Sequence, residues 1–301
     1  MAKQLAVARS QKGRSPIYWP AWIWVAPALI LDLTFFIYPL LYTVYLSFLD
    51  KNSIEFVGLR NYQRIFTNAT MLEVLKNNLI WLVLATILTV GLGLIIAVMV
   101  DRVKVESVVK SALFLPMAIS FVAAGVIWRF VYKFDPAGQT QTGLLNAITT
   151  LFGGQPHAWL QDPNISNFML IIVYTWMWAG FCMVILSAAL KGIPDEIIEA
   201  AKIDGASRFV MFWRITIPMI QGTMAVVVTT MIINILKIFD VVYVMTGGNF
   251  KTDVVALEFY NQLFTFSNYG QSSALAVILL ITIIPVMYIN VRRMKAEEAM
   301  R

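Results

Sequence analysis

The sequence predicts an all-α membrane protein of six transmembrane helices with one short helix on the cytoplasmic side, and three observations carry that prediction. Of 301 residues, 59% are hydrophobic and 13% are charged, shares far from those of a soluble domain. The apolar residues gather into six stretches, at about 21–48, 77–100, 108–132, 166–190, 217–245 and 272–291, each near or above the ~20 residues that carry a helix across a bilayer core. Finally, Lys and Arg divide unevenly between alternate connections.

Residues 1–19 hold Lys3, Arg9, Lys12 and Arg14 with no acidic residue. The apolar stretch that follows is too long for a signal-peptide core, so this segment is expected to be a cytoplasmic tail. Trp19, Trp22 and Trp24 suit an interfacial belt. The tail, the second connection (Arg102, Lys104, Lys110), the fourth (Lys191, Lys202, Arg208, Arg214) and the C-terminus (Arg292, Arg293, Lys295, Arg301) together carry fifteen basic residues. The other side carries six: Lys51, Arg60, Arg64, Lys76, Lys133 and Lys251. This asymmetry places both termini and the fourth connection in the cytoplasm. The expected organisation is a tail at 1–19, a transmembrane domain at 20–295 and a cytoplasmic end at 296–301.

The outer connections, 49–76, 133–165 and 246–271, are long enough for a docking surface. They contain turn clusters such as Asp135-Pro136-Ala137-Gly138 and Phe152-Gly153-Gly154-Gln155-Pro156. Between the fourth and fifth stretches lies the one long polar, helix-forming segment in the second half, 193–207. Pro194 fits a first helical position, Asp195 and Glu196 favour the positive end of the helix dipole, and Gly205 can supply a left-handed stop. Ala200, Ala201 and Gly205 are small enough to let the helix lie inside a groove. Glu199 and Asp204 can cap amides or pair with bases, and Ile197, Ile198 and Ile203 offer an apolar grip. An interfacial amphipathic helix fits the same spacing.

Charges within the apolar stretches are costly and tend to face a cavity or a partner. Asp32, Arg129, Lys237 and Asp240 are the candidates. A continuous fifth helix would put Lys237 and Asp240 on one face, as a structural ion pair or as part of a polar path. Arg129 is expected to reach the outer surface. The fourth stretch reads Tyr174-Thr175-Trp176-Met177-Trp178-Ala179-Gly180-Phe181, which suits either a helix core or rings that stack on sugar faces.

Several function classes are excluded. A lone cysteine, Cys182, and a lone histidine, His157, make no disulfide or Cys/His metal site. No catalytic constellation is visible, so no enzyme is expected. The net charge of +6 is spread by topology rather than gathered for nucleic acid. The chain lacks Gly-x-x-x-x-Gly-Lys-[Ser/Thr], so ATP must be bound elsewhere.

Glu199-Ala200-Ala201 followed by Asp204-Gly205-Ala206, Ile215 and Pro218 resembles the EAA loop of bacterial ABC importer permeases. Trp159-Leu160-Gln161-Asp162-Pro163 and Phe239-Asp240-Val241-Val242-Tyr243-Val244-Met245-Thr246-Gly247-Gly248 resemble the sugar-importer branch. Asn249 stands where relatives often carry Pro. The resemblance spans roughly residues 20–295 and implies a type I ABC importer permease fold in a bacterial inner membrane. It further implies that Glu199, Ala200, Ala201, Asp204, Gly205, Ala206 and Ser207 dock on an ATPase, as a coupling helix at 193–207. Tyr174, Trp176, Met177, Trp178, Phe181, Met231 and Asn234, joined by Lys237 and Asp240, are the expected substrate pathway. The implied partners are a second homologous permease, two cytoplasmic ATPases holding ATP and Mg, and an extracytoplasmic solute-binding protein; the chain itself takes no cofactor or metal. The expected solute is a neutral disaccharide, α-glucoside or glycosylated osmolyte, with glycerol phosphate or a polyol as the alternative. A secondary transporter using Asp32, Lys237 and Asp240 as an ion relay and a non-transporting receptor are the readings from other classes.

Overall fold

The computed structural model describes residues 19–300 except Arg102 and Ala137. The basic tail with Lys3, Arg9, Lys12 and Arg14 lies outside the described residues, as do Arg301 and the side chains of Trp19, Arg293 and Lys295. The chain divides into two compact units, Met1–Tyr45 and Leu46–Arg301. The described part of the first unit is a helix that carries the first span, Trp22–Leu46, through a π turn at Leu33–Ile37. Its apolar side chains stand exposed, as a helix surrounded by hydrocarbon allows.

In the second unit three long helices serve as spans: Ala69–Val100, Ser166–Lys191 and Tyr269–Arg292. Two bent pairs complete six spans, Glu106–Ala118 with Phe121–Val131 and Arg208–Met219 with Gln221–Leu236. Among the described residues there is no strand, only one isolated bridge between Leu49 and Phe56. The second span begins at Ala69 rather than 77, because the Asn68 side chain accepts from the amides of Thr70 and Met71 and caps it.

The third span, expected as one helix over 108–132, bends by 100°. Pro116 sits in a 3₁₀ turn at Leu115–Ala118, Ile119 is extended, and the Ser120 hydroxyl accepts from the Ala123 amide to start the next helix. The fifth, expected over 217–245, starts at Arg208 and turns by 71° next to Ile220. It then stops at Leu236, and a separate short helix runs from Asp240 to Met245.

The fourth span is the axis of the bundle. Two glycines bring backbones against it or out from it at distances no side chain tolerates. A Cβ on Gly93 of the second span would stand 2.5 Å from the Cβ of Cys182, and one on Gly180 would stand 2.1 Å from the carbonyl oxygen of Leu113 in the third. Small residues at crossings are how membrane helices gain packing where lipid supplies no hydrophobic drive. Around these crossings Trp81, Tyr174, Met183, Leu186, Met231 and Ile235 are fully buried.

Side-chain amides lock together the ends of the spans remote from the segment 193–207. Asn77 donates to the carbonyls of Lys251 (2.8 Å) and Asp253 (2.9 Å), and Asn78 accepts from the Val255 amide (2.7 Å). The Trp81 indole donates to Asn167 (2.7 Å), and the Ser166 hydroxyl to the Phe250 carbonyl (2.9 Å). Asn249 donates to the Thr246 carbonyl (2.9 Å) and so closes its own turn. In the same loop, burial and then the neighbouring Glu258 carboxyl push Asp253 up to about 7.

Gly180→Leu and Gly93→Leu should each lower the melting temperature of the purified protein in detergent, since overpacking costs about 1–3 kcal/mol. Gly91, which has nothing within 4 Å of a Cβ, should accept Leu with little change. Equal melting of all three variants would contradict the packing assigned to the fourth span.

Candidate functional site

The polar segment between the fourth and fifth spans folds as a helix, Asp195–Ile203, held by very short links. The fourth span ends at Lys191, with the Gly192 amide bonded to the Ala188 and Ala189 carbonyls. Pro194 occupies the N-cap, one place before the first helical position expected for it, with ψ of 133°. Its fixed φ suits either position, and its own extended backbone is what directs the chain out of the preceding turn. Asp195 and Glu196 fill the first turn as expected. At the far end Gly205 has φ of +77°, the Ala206 amide bonds to the Ala201 carbonyl (3.0 Å), and Ser207 caps the next helix through the Val210 amide (3.3 Å).

Burial then sorts the segment. Ala201 is 7% exposed and packs inward, whereas Glu199, Ala200, Asp204, Gly205 and Ser207 are exposed and Ala206 is half-buried. Ile203 stands 86% exposed, with Phe209 and Trp213 also exposed beyond it. Among the described residues neither Glu199 nor Asp204 enters an ion pair. At the base of the helix Lys191 pairs with Glu106 at 2.7 Å. Glu106 also pairs with Lys110, which in turn donates to the buried hydroxyl of Ser187. The helix thus follows the fourth span by three residues, and the end of that span is joined to the third by an ion-pair triad.

The residues expected along a solute path separate into two sets. Tyr174 (1% exposed), Met177 and Met231 are interior. Tyr174 meets Trp81 edge to face at 5.7 Å and stacks on Phe121 at 6.5 Å. Trp176, Trp178 and Phe181 are half-buried; Trp176 leans on Trp128 at 5.5 Å, and Trp178 on Phe181 at 5.4 Å. The Tyr174 hydroxyl and the Trp178 indole nitrogen are buried without a hydrogen-bond partner among the described residues.

Asn234 is half-buried, its amide nitrogen donating to the Thr230 carbonyl (3.0 Å) and leaving its side-chain oxygen to accept. Lys237 and Asp240 do not share a helical face. The helix ends in a tight turn, with the Lys237 amide on Asn234 (3.2 Å) and that of Ile238 on Ile235 (3.0 Å), and Phe239 at φ −140° starts a new direction. Both charged residues are exposed, and among the described residues no ion pair joins them. An unpaired charge facing lipid at mid-bilayer costs about 2.5–3.5 kcal/mol, so this break faces water or protein. Arg129 reaches the Val244 carbonyl at 3.4 Å rather than standing free.

Sequence reasoning missed the asparagines. Asn146 accepts from the Trp159 indole (2.9 Å) and the His157 amide (2.9 Å) while donating to the Lys133 and His157 carbonyls. Asp162 accepts from the Asn164 amide and from His157, and its carbonyl takes the Ser166 amide that opens the fourth span. Tryptophan and aspartate in the 159–163 motif therefore anchor an outer loop. The available signal was the density of Asn beside apolar runs, at 77, 78, 146 and 167, where an unpaired amide would be too costly to keep.

Three comparisons bear on this architecture. The osmoprotective compounds uptake permease protein GgtC of Synechocystis sp. is 56% identical over 279 residues, covering 93% of this chain and all of the relative. The alpha-glucoside transport system permease protein AglF of Rhizobium meliloti is 42% identical, over 92% of this chain and 83% of its own. A crystal structure of a bacterial alginate ABC transporter, in complex with an alginate pentasaccharide-bound periplasmic protein, contains a chain that superposes with a TM-score of 0.77 at 22% identity, over 90% of this chain and 92% of that one. Residues 89–295 match the family described as the inner membrane component of binding-protein-dependent transport systems. With those residues, this fold and these relatives, the chain belongs to that family as a multi-pass inner-membrane permease of an ABC transporter, a transport component and not an enzyme.

Proposed function

We propose that the chain is one of two related permeases that together import a neutral sugar or glycoside. In this reading two cytoplasmic ATPases hold ATP and Mg, and an extracytoplasmic binding protein delivers the solute. The observation that carries the coupling role is the helix Asp195–Ile203. It is closed at its C-terminal end by the turn at Gly205, follows by three residues a fourth span that Lys191 pairs to Glu106 of the third, and presents Glu199, Ala200 and Ile203 outward. A short helix with rigid links transmits a push to the spans instead of absorbing it, which is what alternating access by rigid-body motion requires. The asymmetry of basic residues supports a topology with both termini and this helix in the cytoplasm and 50–76 and 133–165 outside.

The solute class is supported by the relatives named for α-glucosides and osmoprotective compounds. It is also supported by how the basic side chains are engaged: Lys110 and Lys191, which do gather, are both paired with Glu106, and Arg129 bonds the Val244 carbonyl, so none of these three is left to clamp a phosphate. A polyol phosphate therefore fits less well. An ion relay through Lys237 and Asp240 loses its shared helical face to the chain break. Along the path Asn234, Lys237 and Asp240 supply polar contacts and Trp176, Trp178 and Phe181 supply rings, while Tyr174, Met177 and Met231 support them from the interior.

Ile203→Asp changes a side chain that packs on nothing in this chain, so insertion and melting should be preserved while ATPase co-purification and substrate-stimulated hydrolysis fall at least several-fold. Wild-type stimulation in this variant, and also in Ala201→Asp and Gly205→Asp, would remove the coupling assignment. Orientation is tested by cysteines introduced at 199 and 154 in a Cys182→Ser background. An impermeant thiol reagent applied outside intact cells should label 154 and leave 199 unmodified; the reverse pattern would invert the topology. Finally, Asn234→Ala should reduce glycoside uptake per assembled complex by about 5- to 100-fold, as expected for a sugar hydroxyl left unpaired in a dry site. Lys237→Ala and Asp240→Ala should combine additively, because the break keeps the two side chains from pairing. A double variant that transports better than Lys237→Ala alone would show that they do pair.

A further inference from the structure

The outer end of the fifth span carries an aromatic surface that belongs to neither the fourth-span core nor the coupling helix. Phe239, which precedes the short helix after the break, and Tyr243 on that helix stack at 5.1 Å with their rings nearly parallel. Tyr260 closes on both, at 5.2 Å from Phe239 and 5.6 Å from Tyr243. Phe264, set by the π turn Asn261–Thr265, packs on Tyr260 at 4.8 Å. Two of the four rings remain open: Tyr243 is 47% exposed and Phe264 65%.

Lys237 and Asp240 border this surface. Asp240 lies between Phe239 and Val241 and three residues before Tyr243, so it shares a helical face with that ring. Both charged side chains are exposed without an ion-pair partner among the described residues, and the backbone between them is unwound. Irregular backbone and unpaired charge at membrane depth are tolerated where they line a water-filled cavity or lie against protein. The solute path proposed above, which already includes Lys237 and Asp240, runs past this aromatic surface. Exposed rings next to an acceptor carboxylate suit a ligand with an apolar face and hydroxyls at its edge. Among the described residues, no hydrogen bond within the chain engages the hydroxyls of Tyr243 and Tyr260, which leaves them available as well.

We infer that Phe239, Tyr243, Tyr260 and Phe264, with Asp240, form an outer stacking site that takes the C–H face of a pyranose ring, with Asp240 accepting from its hydroxyls. The inference rests on the sugar-import reading above and adds a second place along the path, outward of Asn234. The rings come from two segments, 239–243 and 260–264, on either side of the outer loop, so a bound sugar would bridge the end of the fifth span to that loop.

The test uses the complete importer in proteoliposomes with its binding protein, and a panel of labelled maltose, sucrose, trehalose and glucosylglycerol as probes. Uptake per assembled complex is measured for Tyr243→Ala, Tyr260→Ala, Tyr243→Phe and Tyr260→Phe. The alanine variants should lose about five- to tenfold in uptake of the best-transported probe. The phenylalanine variants, which keep the ring, should retain most of it, and the amounts of partner permease and ATPase recovered should match wild type throughout. If wild type imports a probe and the alanine variants import it equally well, the stacking site is wrong while the sugar reading stands. If the alanine variants lose partner permease in proportion to uptake, the rings are a subunit interface and the inference is overturned. If wild type imports none of the panel, the sugar reading fails and takes this site's ligand with it.

Discussion

The rest of the second unit depends on the close approach of the second and third spans to the fourth. Gly93 sits where a methyl group would strike Cys182, and Gly180 where one would strike the Leu113 backbone. Lipid tails solvate leucine as well as another helix does, so contact between spans has to come from such packing and from polar atoms that find partners. Both are concentrated on the fourth span. Its inner half is held by glycine crossings, and its outer end by Asn167 and Ser166 bonding to the second span and the outer loop.

A fourth span fixed at both ends explains how a helix of nine residues can matter to a membrane protein. Asp195–Ile203 follows Lys191 by three residues, and Lys191 is itself paired with Glu106 at the foot of the third span. Displacement of the short helix therefore acts on two spans at once. The helix also has one side turned into the protein. Here Ala201 is the buried residue, and Ile203 projects with Phe209 and Trp213 also exposed.

The bends carry a second lesson about charge. Lys237 and Asp240 read in a continuous helix as neighbours that neutralise each other. The structure replaces that pairing with a turn, so each charge needs another solvent. Aromatic rings from two segments gather beside them, while the aromatic run of the fourth span, richer in tryptophan, turns largely inward. Ring count in a stretch is thus a poor guide to where a solute can be met, because a helix buried on most faces spends its rings on packing.

Composition, the six apolar stretches, the basic-residue asymmetry and the EAA pattern were enough to establish a multi-span permease and to place its polar connecting helix. Each depends on local chemistry: hydrocarbon selects apolar runs of a given length, and end signals such as Asp195 in the first turn, Gly205 at the stop and Ser207 capping the next helix act within a few residues. The bend of the third span was half legible, since Pro116 and Ser120 are breakers that the apolar run concealed. The break after Leu236 was not legible, because Ile235-Leu236-Lys237-Ile238-Phe239 contains no proline or glycine and nothing in it disfavours helix. What stops the helix there is contact across the bundle, where Ile235, Leu236, Ile238 and Val241 are all buried although no single helical face could present them together. Such a choice is made by neighbours distant in sequence, and only the packed structure reveals it.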